Sequence, residues 1–145
     1  GSRIQCFCAS SGGKNNLPKV LIVDDQYGVR SLLQLVFQEE GYQVITAVNG
    51  RDALRQVERW RPEVVIMDIK MPIMGGLEAL PRIKALAPAT EVIIMTAYVE
   101  AASLAEVWRL GASDFIYKPF DLEELKGKVR ELLAQEEPTC RKLAP

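Results

Sequence analysis

From Lys19 onward, two hydrophobic patterns take turns along the chain. Val20-Leu21-Ile22-Val23 is a short continuous apolar run, as expected of a strand buried on both faces. Val29, Leu32, Leu33, Val36 and Phe37 then recur at helical spacing and draw one apolar stripe, with Gly41 where that helix must stop. The pair of signals repeats. Val44-Ile45-Thr46-Ala47 predicts a second strand, and Ala53, Leu54, Val57 and Trp60 a second helix with Asn49 as N-cap and Pro62 beyond its end. Val64-Val65-Ile66-Met67 predicts a third strand, followed by a helix from about Leu77 to Leu86. Pro81 has no N–H to donate, so that helix tolerates it only in the first turn, where donors lack partners anyway. Val92-Ile93-Ile94-Met95 is the fourth strand, Ala101 to Leu110 the fourth helix closed by Gly111, and Phe115-Ile116-Tyr117 the fifth strand. Asp121 caps a last helix carrying Leu122, Leu125, Val129, Leu132 and Leu133.

Five strand–helix units of this length predict an α/β fold: a flavodoxin-like (βα)5 doubly wound parallel sheet, strand order 2-1-3-4-5, helices on both faces. In that order the chain reverses direction between the first and third strands. The crevice at their carboxyl ends is where a ligand is expected.

Composition narrows the function. The 145 residues suit one domain, 48% of them hydrophobic and 26% charged. Lys and Arg total 18 against 19 Asp and Glu, a net charge of −1, which gives no electrostatic case for binding nucleic acid or an anionic membrane. No apolar run approaches the ~20 residues of a membrane span. The chain has no histidine, so its own imidazole cannot serve as base, metal ligand or phosphoryl carrier. Cys6, Cys8 and Cys140 lie near the ends, an odd number that makes neither a disulfide framework nor a tetrahedral metal site. Residues 1–17 lack the apolar stretch of a secretory signal and are expected to be a disordered or expression-derived arm. The domain is expected over 18–135, a flexible tail over 136–145, and the location is expected to be cytoplasmic.

The strand ends carry the chemistry. Asp24-Asp25 follow the first strand, Asp68 the third, Thr96 the fourth and Lys118-Pro119 the fifth. Three carboxylates at one sheet edge repel one another unless a cation intervenes. An oxygen-rich set of this kind suits a hard divalent ion, Mg²⁺ or Mn²⁺, sharing a phosphoryl oxygen. One carboxylate could then take a phosphoryl group as an acyl phosphate, with Lys118 as a point charge and Thr96 as a hydrogen-bond partner.

These motifs carry a resemblance. From about Lys19 to Leu133 the chain resembles the receiver domain of two-component response regulators, through Asp24-Asp25, Asp68 followed by Met71-Pro72, Thr96-Ala97 and Lys118-Pro119-Phe120. The resemblance implies that Asp68 is the phosphoacceptor and that Asp24 and Asp25 bind Mg²⁺ with help from Asp68 and the backbone carbonyl of Lys70. It also implies that Thr96 and Lys118 contact the phosphoryl group and that the Lys118-Pro119 bond is cis. Within the family the chain is similar to stand-alone relay receivers, on Ile22 to Gly28 with Arg30 and Leu32-Leu33 following, Glu40-Gly41-Tyr42-Gln43, Val92 to Tyr98 and Lys118 to Asp121. The implied partners are a sensor histidine kinase and a downstream histidine phosphotransferase, and such a receiver catalyses its own phosphorylation and dephosphorylation. Ile73 and Gly75 depart from the more usual Gly and Asp of the loop after Asp68, and Phe115 from the more usual Tyr.

Further expectations concern tuning and docking. Lys70 and Tyr98 are large enough to screen the acyl phosphate from water. Thr96 and Phe115 form a candidate switch, Phe115 turning inward as Thr96 moves toward the phosphoryl group. Gln26, Val29, Leu32, Pro119 and Phe120 ring the crevice and are candidate partner contacts. Competing readings fare worse. A flavodoxin-type nucleotide binder needs a Ser/Thr/Gly-rich phosphate loop where Asp24-Asp25 stand, and an Asp-nucleophile phosphatase needs an Asp where Lys70 stands. A DNA-binding regulator needs a second domain. The remaining rival is a chemotaxis-type receiver that signals by phosphorylation-dependent binding.

Overall fold

The structure, a computed structural model, describes residues 17–97 and 101–135. The three cysteines, nearly all of the expected arm, the expected tail and Tyr98 lie outside the described residues. The elements follow the hydrophobic pattern: β1 (Lys19–Val23), α1 (Tyr27–Glu39), β2 (Gln43–Ala47), α2 (Gly50–Trp60), β3 (Val64–Asp68), α3 (Gly76–Leu86), β4 (Glu91–Thr96), α4 (Ala101–Arg109), β5 (Asp114–Tyr117) and α5 (Leu122–Gln135). The strands form one parallel sheet in the order β2-β1-β3-β4-β5, as expected for a doubly wound fold.

Alternation along each strand divides the core in two. Leu21, Val23, Val65, Met67, Val92 and Ile94 face α2, α3 and α4, together with Ala53, Val57, Leu80, Ile83 and Val107. Val20, Ile22, Val64, Ile66, Ile93 and Met95 face α1 and α5, together with Leu33, Phe37, Leu125 and Val129. This explains the unbroken apolar runs of β1, β3 and β4: both faces of the sheet are covered there, so these central strands have no polar face to show. Each Val, Leu, Ile, Met or Phe side chain among these core residues, taken fully from water, stabilises the fold by about 1.5–3 kcal/mol before conformational entropy is charged against it.

The helix ends follow local chemistry. The Asn49 side chain accepts a hydrogen bond from the Asp52 N–H at 2.9 Å, as its N-cap position predicts, and Asp52 in turn accepts from the Val48 N–H at 3.1 Å. Gly41 and Gly111 leave α1 and α4 at φ of 97° and 108°, which a side chain disfavours. Pro81 departs from expectation. It is the sixth residue of α3, past the first turn, so the Leu77 carbonyl loses its helical donor. Pro81 is exposed, so its ring lies on the solvent side of the helix rather than in the core.

The loop from β3 to α3 is tightly held. The Gly76 N–H donates to the Ile69 carbonyl at 2.8 Å and the Gly50 N–H to the Met74 carbonyl at 2.8 Å. A Cβ at Gly76 would collide with the Asp68 carbonyl, so only glycine lets α3 begin this close to the end of β3. Within the same loop Ile73 sits at φ of 68° and is 72% exposed, a β-branched residue in the left-handed region with little packing in return.

Two outcomes are expected. Ile73→Gly relieves that conformation and raises stability by about 1 kcal/mol, read as a higher midpoint in urea unfolding; an unchanged or lower midpoint contradicts the strain. Tyr42 stacks on Phe37 at 6.0 Å, and burial, reinforced by the charge of Glu40 and opposed by Arg130, raises its phenol above the ordinary 10.0. The folded state then keeps a proton that the unfolded chain releases, so this contribution is complete below pH 10 and is lost as pH rises through the folded value. Wild type should therefore lose stability relative to Tyr42→Phe above that pH and track it below; parallel curves throughout would exclude the effect.

Candidate functional site

The strand order sets the site. β1 and β3 are adjacent at the centre of the sheet, with Val23 in register with Met67, so Asp24 and Asp68 emerge side by side. β4 lies beside β3 and ends on Thr96, and the Lys118 N–H donates to the Thr96 carbonyl at 2.8 Å where the chain leaves β5. The Lys118–Pro119 peptide is cis. The Lys118 ammonium donates to Asp24 Oδ2 at 3.1 Å and to Asp68 Oδ2 at 3.2 Å, bridging residues 94 and 50 positions away.

The carboxylates differ in surroundings. Asp24 is fully buried, and its Oδ1 accepts from the Gln26 N–H at 2.9 Å. Asp68 is 13% exposed at its side chain and accepts from the Ile69 N–H through Oδ1 at 2.8 Å. Asp25 is exposed. One oxygen from each of the three lies within 4.8 Å of the others.

Burial is the largest influence on Asp68 and raises its carboxyl above the ordinary range; the charge of Asp24 adds to this, while Lys118 and the Ile69 N–H oppose it without prevailing. For Lys118, burial is again the largest single influence and lowers it. The carboxylates of Asp68 and Asp24 together outweigh that and hold the ammonium above its ordinary value.

Three carboxylates against one ammonium leave negative charge uncompensated in a partly buried place. All the clustered donors are hard oxygens, so the site fits a Mg²⁺-type ion, which takes one or two carboxylates and keeps waters. Asp25 and Asp68 line an open cleft of about 470 Å³ with Gln26, Ile69, Lys70, Thr96, Ala97 and Lys118. A larger groove of about 760 Å³ between α2 and α3 is lined by side chains such as Leu54, Met74 and Arg82 and holds none of these groups. Size therefore does not mark the chemistry here.

Most of the residues singled out from the sequence meet at this cleft. Asp24, Asp25, Asp68, Thr96 and Lys118 converge, and Lys70 and Gln26 stand on the rim. The docking candidates divide. Leu32 is 47% exposed and Gln26 and Pro119 are exposed, whereas Val29 and Phe120 are half-buried against the α1–α5 core. Leu33, next to Leu32, is fully buried. Phe115 packs edge-on against Trp108 at 5.6 Å and tilted against Tyr117 at 5.1 Å, on the α4 side of the sheet. Two supports were given no role from the sequence: the Arg30 guanidinium, which donates to the Asp24 carbonyl at 2.8 Å, and the bare Cα of Gly76. The glycine pair after Met71-Pro72 was the readable sign of the second.

Comparison with known proteins agrees with this geometry. The chain is 48% identical over 115 residues to sporulation initiation phosphotransferase F of Bacillus subtilis, covering 79% of this chain and 93% of that protein. It is 39% identical over 103 residues to the chemotaxis protein CheY of Thermotoga maritima, covering 70% of this chain and 86% of that one. A solved CheY-like receiver domain from Methanospirillum hungatei superposes with a TM-score of 0.82 at 29% identity, covering 86% of this chain and 99% of the other. The response regulator receiver domain pattern itself matches residues 20–130, from the first apolar run of β1 into α5 and across every group at the cleft, and the chain belongs to that family.

Proposed function

We propose that this receiver takes a phosphoryl group from a partner's phosphohistidine onto Asp68 and passes it to a downstream histidine phosphotransferase. The observation that carries the reading is the Lys118 ammonium shared between Asp24 and Asp68 at the mouth of an open cleft. It gives an incoming phosphoryl group a cation beside the only carboxylate of the trio that ends a strand in that cleft.

An Asp68 carboxylate oxygen attacks phosphorus in line with the breaking P–N bond, whose electron pair returns to the partner's imidazole nitrogen. Lys118 turns from the carboxylates toward the phosphoryl oxygens, and Thr96 donates its hydroxyl to one of them. The second transfer runs the same exchange toward another imidazole. Asp24, Asp25, Asp68 and the Lys70 carbonyl are the groups that would hold Mg²⁺, which neutralises charge on the transferred group. The absence of histidine makes the chain dependent on a partner for both donor and acceptor.

Gln26, Leu32 and Pro119 supply the exposed rim against which a partner helix would dock. Lys70, with Tyr98 beyond the described residues, would shield the acyl phosphate. Phe115, set between Trp108 and Tyr117, would respond to Thr96. A cytoplasmic place in sporulation signalling is the setting that the similarity to the Bacillus protein favours. The similarity to the chemotaxis protein supports the second reading, a receiver that acts by binding once phosphorylated.

Incubation with a phosphorylated histidine kinase and Mg²⁺, then with a histidine phosphotransferase, separates the two. Onward transfer is the expected result, Asp68→Ala takes no label, and Leu32→Ala slows transfer by about tenfold with an unchanged melting temperature. Stable labelling without transfer would favour the binding-only reading, and an equally labelled Asp68→Ala would sink both. Removing one of the clustered charges has its own signature. Without divalent ions Asp68→Asn should melt higher than wild type, whereas Mg²⁺ should stabilise wild type by about 2.7 kcal/mol at a hundred times its Kd and Asp68→Asn far less. Equal Mg²⁺ effects on both proteins would remove Asp68 from the cation site.

A further inference from the structure

Asp24 is held at every polar atom by a different part of the fold. Its N–H donates to the Ala47 carbonyl at 3.2 Å, Oδ1 accepts from the Gln26 N–H, Oδ2 from Lys118, and its carbonyl from Arg30 Nη1 at 2.8 Å. Asp25 is the opposite case: exposed, with no hydrogen bond or ion pair to its carboxylate among the described residues. Its direction is therefore set by the backbone alone. The Asp24 carbonyl and the Asp25 N–H belong to one rigid planar unit, so whatever holds that carbonyl also orients the residue bearing the Asp25 carboxylate.

Among the described residues, Arg30 alone donates to that carbonyl. Gln26 is the N-cap of α1 and makes no side-chain cap, and the first turn of α1 has no acidic residue. Arg30 reaches back one turn instead, with its own N–H on the Gln26 carbonyl at 3.0 Å and its guanidinium over the Tyr27 ring at 5.7 Å, which limits how far it swings. We propose that Arg30 is a positioning residue for the divalent cation, fixing the Asp24–Asp25 peptide so that the free carboxylate of Asp25 meets those of Asp24 and Asp68. This rests on the reading of the carboxylate trio as a cation site.

The sign of the effect distinguishes positioning from charge. Arg30 is a cation near a cation site, so if charge were all that mattered, its removal would tighten Mg²⁺ binding. If it positions, removal loosens binding by about 10-fold to 100-fold, the usual effect of losing a group that orients metal ligands. The experiment is Mg²⁺ titration by calorimetry of wild type, Arg30→Met, Arg30→Gln and Arg30→Lys, with circular dichroism to check that each is folded. Weaker binding by Arg30→Met, partly rescued by Arg30→Lys at its retained charge, is the expected result; binding as tight as wild type or tighter overturns the proposal. Should Arg30→Met not fold, Arg30→Gln is read by the same criterion. Asp25→Asn separates this from the underlying reading. If it loses Mg²⁺ affinity while the Arg30 variants keep theirs, only the role of Arg30 fails; if it binds Mg²⁺ like wild type, the cation site fails and the Arg30 proposal with it.

Discussion

Everything at the cleft depends on one ammonium group. Asp24 and Asp68 are brought together by adjacent strands, and a buried pair of carboxylates would be intolerable without compensation. Lys118 supplies it from the far side of the sheet, hydrogen-bonded to both at 3.1 and 3.2 Å. Its single charge does not balance three carboxylates, and that shortfall is the chemical drive of the site. Burial raises the Asp68 carboxyl, with the charge of Asp24 adding to it, even against the pull of Lys118. On the function proposed above, a divalent ion would supply the positive charge that the protein leaves missing and so let a phosphoryl group approach.

The scaffold tolerates this because the strain is confined to the strand ends. Between Val20 and Met95 the central strands are apolar on both faces, and most of their side chains are wholly buried. Three local irregularities sit at the carboxyl edge or in the loops that shape it: the tight passage at Gly76, the positive φ of Ile73, the Asp24 turn tied to α1. A rigid sheet supporting a charged, irregular rim is the arrangement in which a small chemical change at the rim is not absorbed by the core.

How much of this was legible in the sequence depends on the range of each interaction. Strands and helices follow from periodicity, and Asn49 and Gly111 act where their local chemistry requires. The convergence of Asp24, Asp68 and Lys118 was readable because topology converts strand ends into neighbours. Contacts decided by rotamer or by half a turn of helix were not readable. Val29 and Leu32 share one stripe in the sequence, yet the structure leaves Leu32 half exposed and packs Val29 against the core. Pro81 was expected only in a first turn because sequence gives no view of which helix face meets water. Arg30 reaches a backbone carbonyl, a partner carrying no side-chain signature at all.

The distance in sequence across the Lys118–Asp24 pair, 94 residues, has a consequence for the life of the chain. The first strand leaves the ribosome long before the fifth, and the sheet order places β3 and β4 between them. Until β5 docks on β4, the acidic residues lack their fixed counter-charge. A nascent chain, a proteolytic fragment or a partly unfolded molecule thus carries Asp24 and Asp68 without the ammonium that joins them. Completion of the sheet and completion of the charge cluster coincide in one bond.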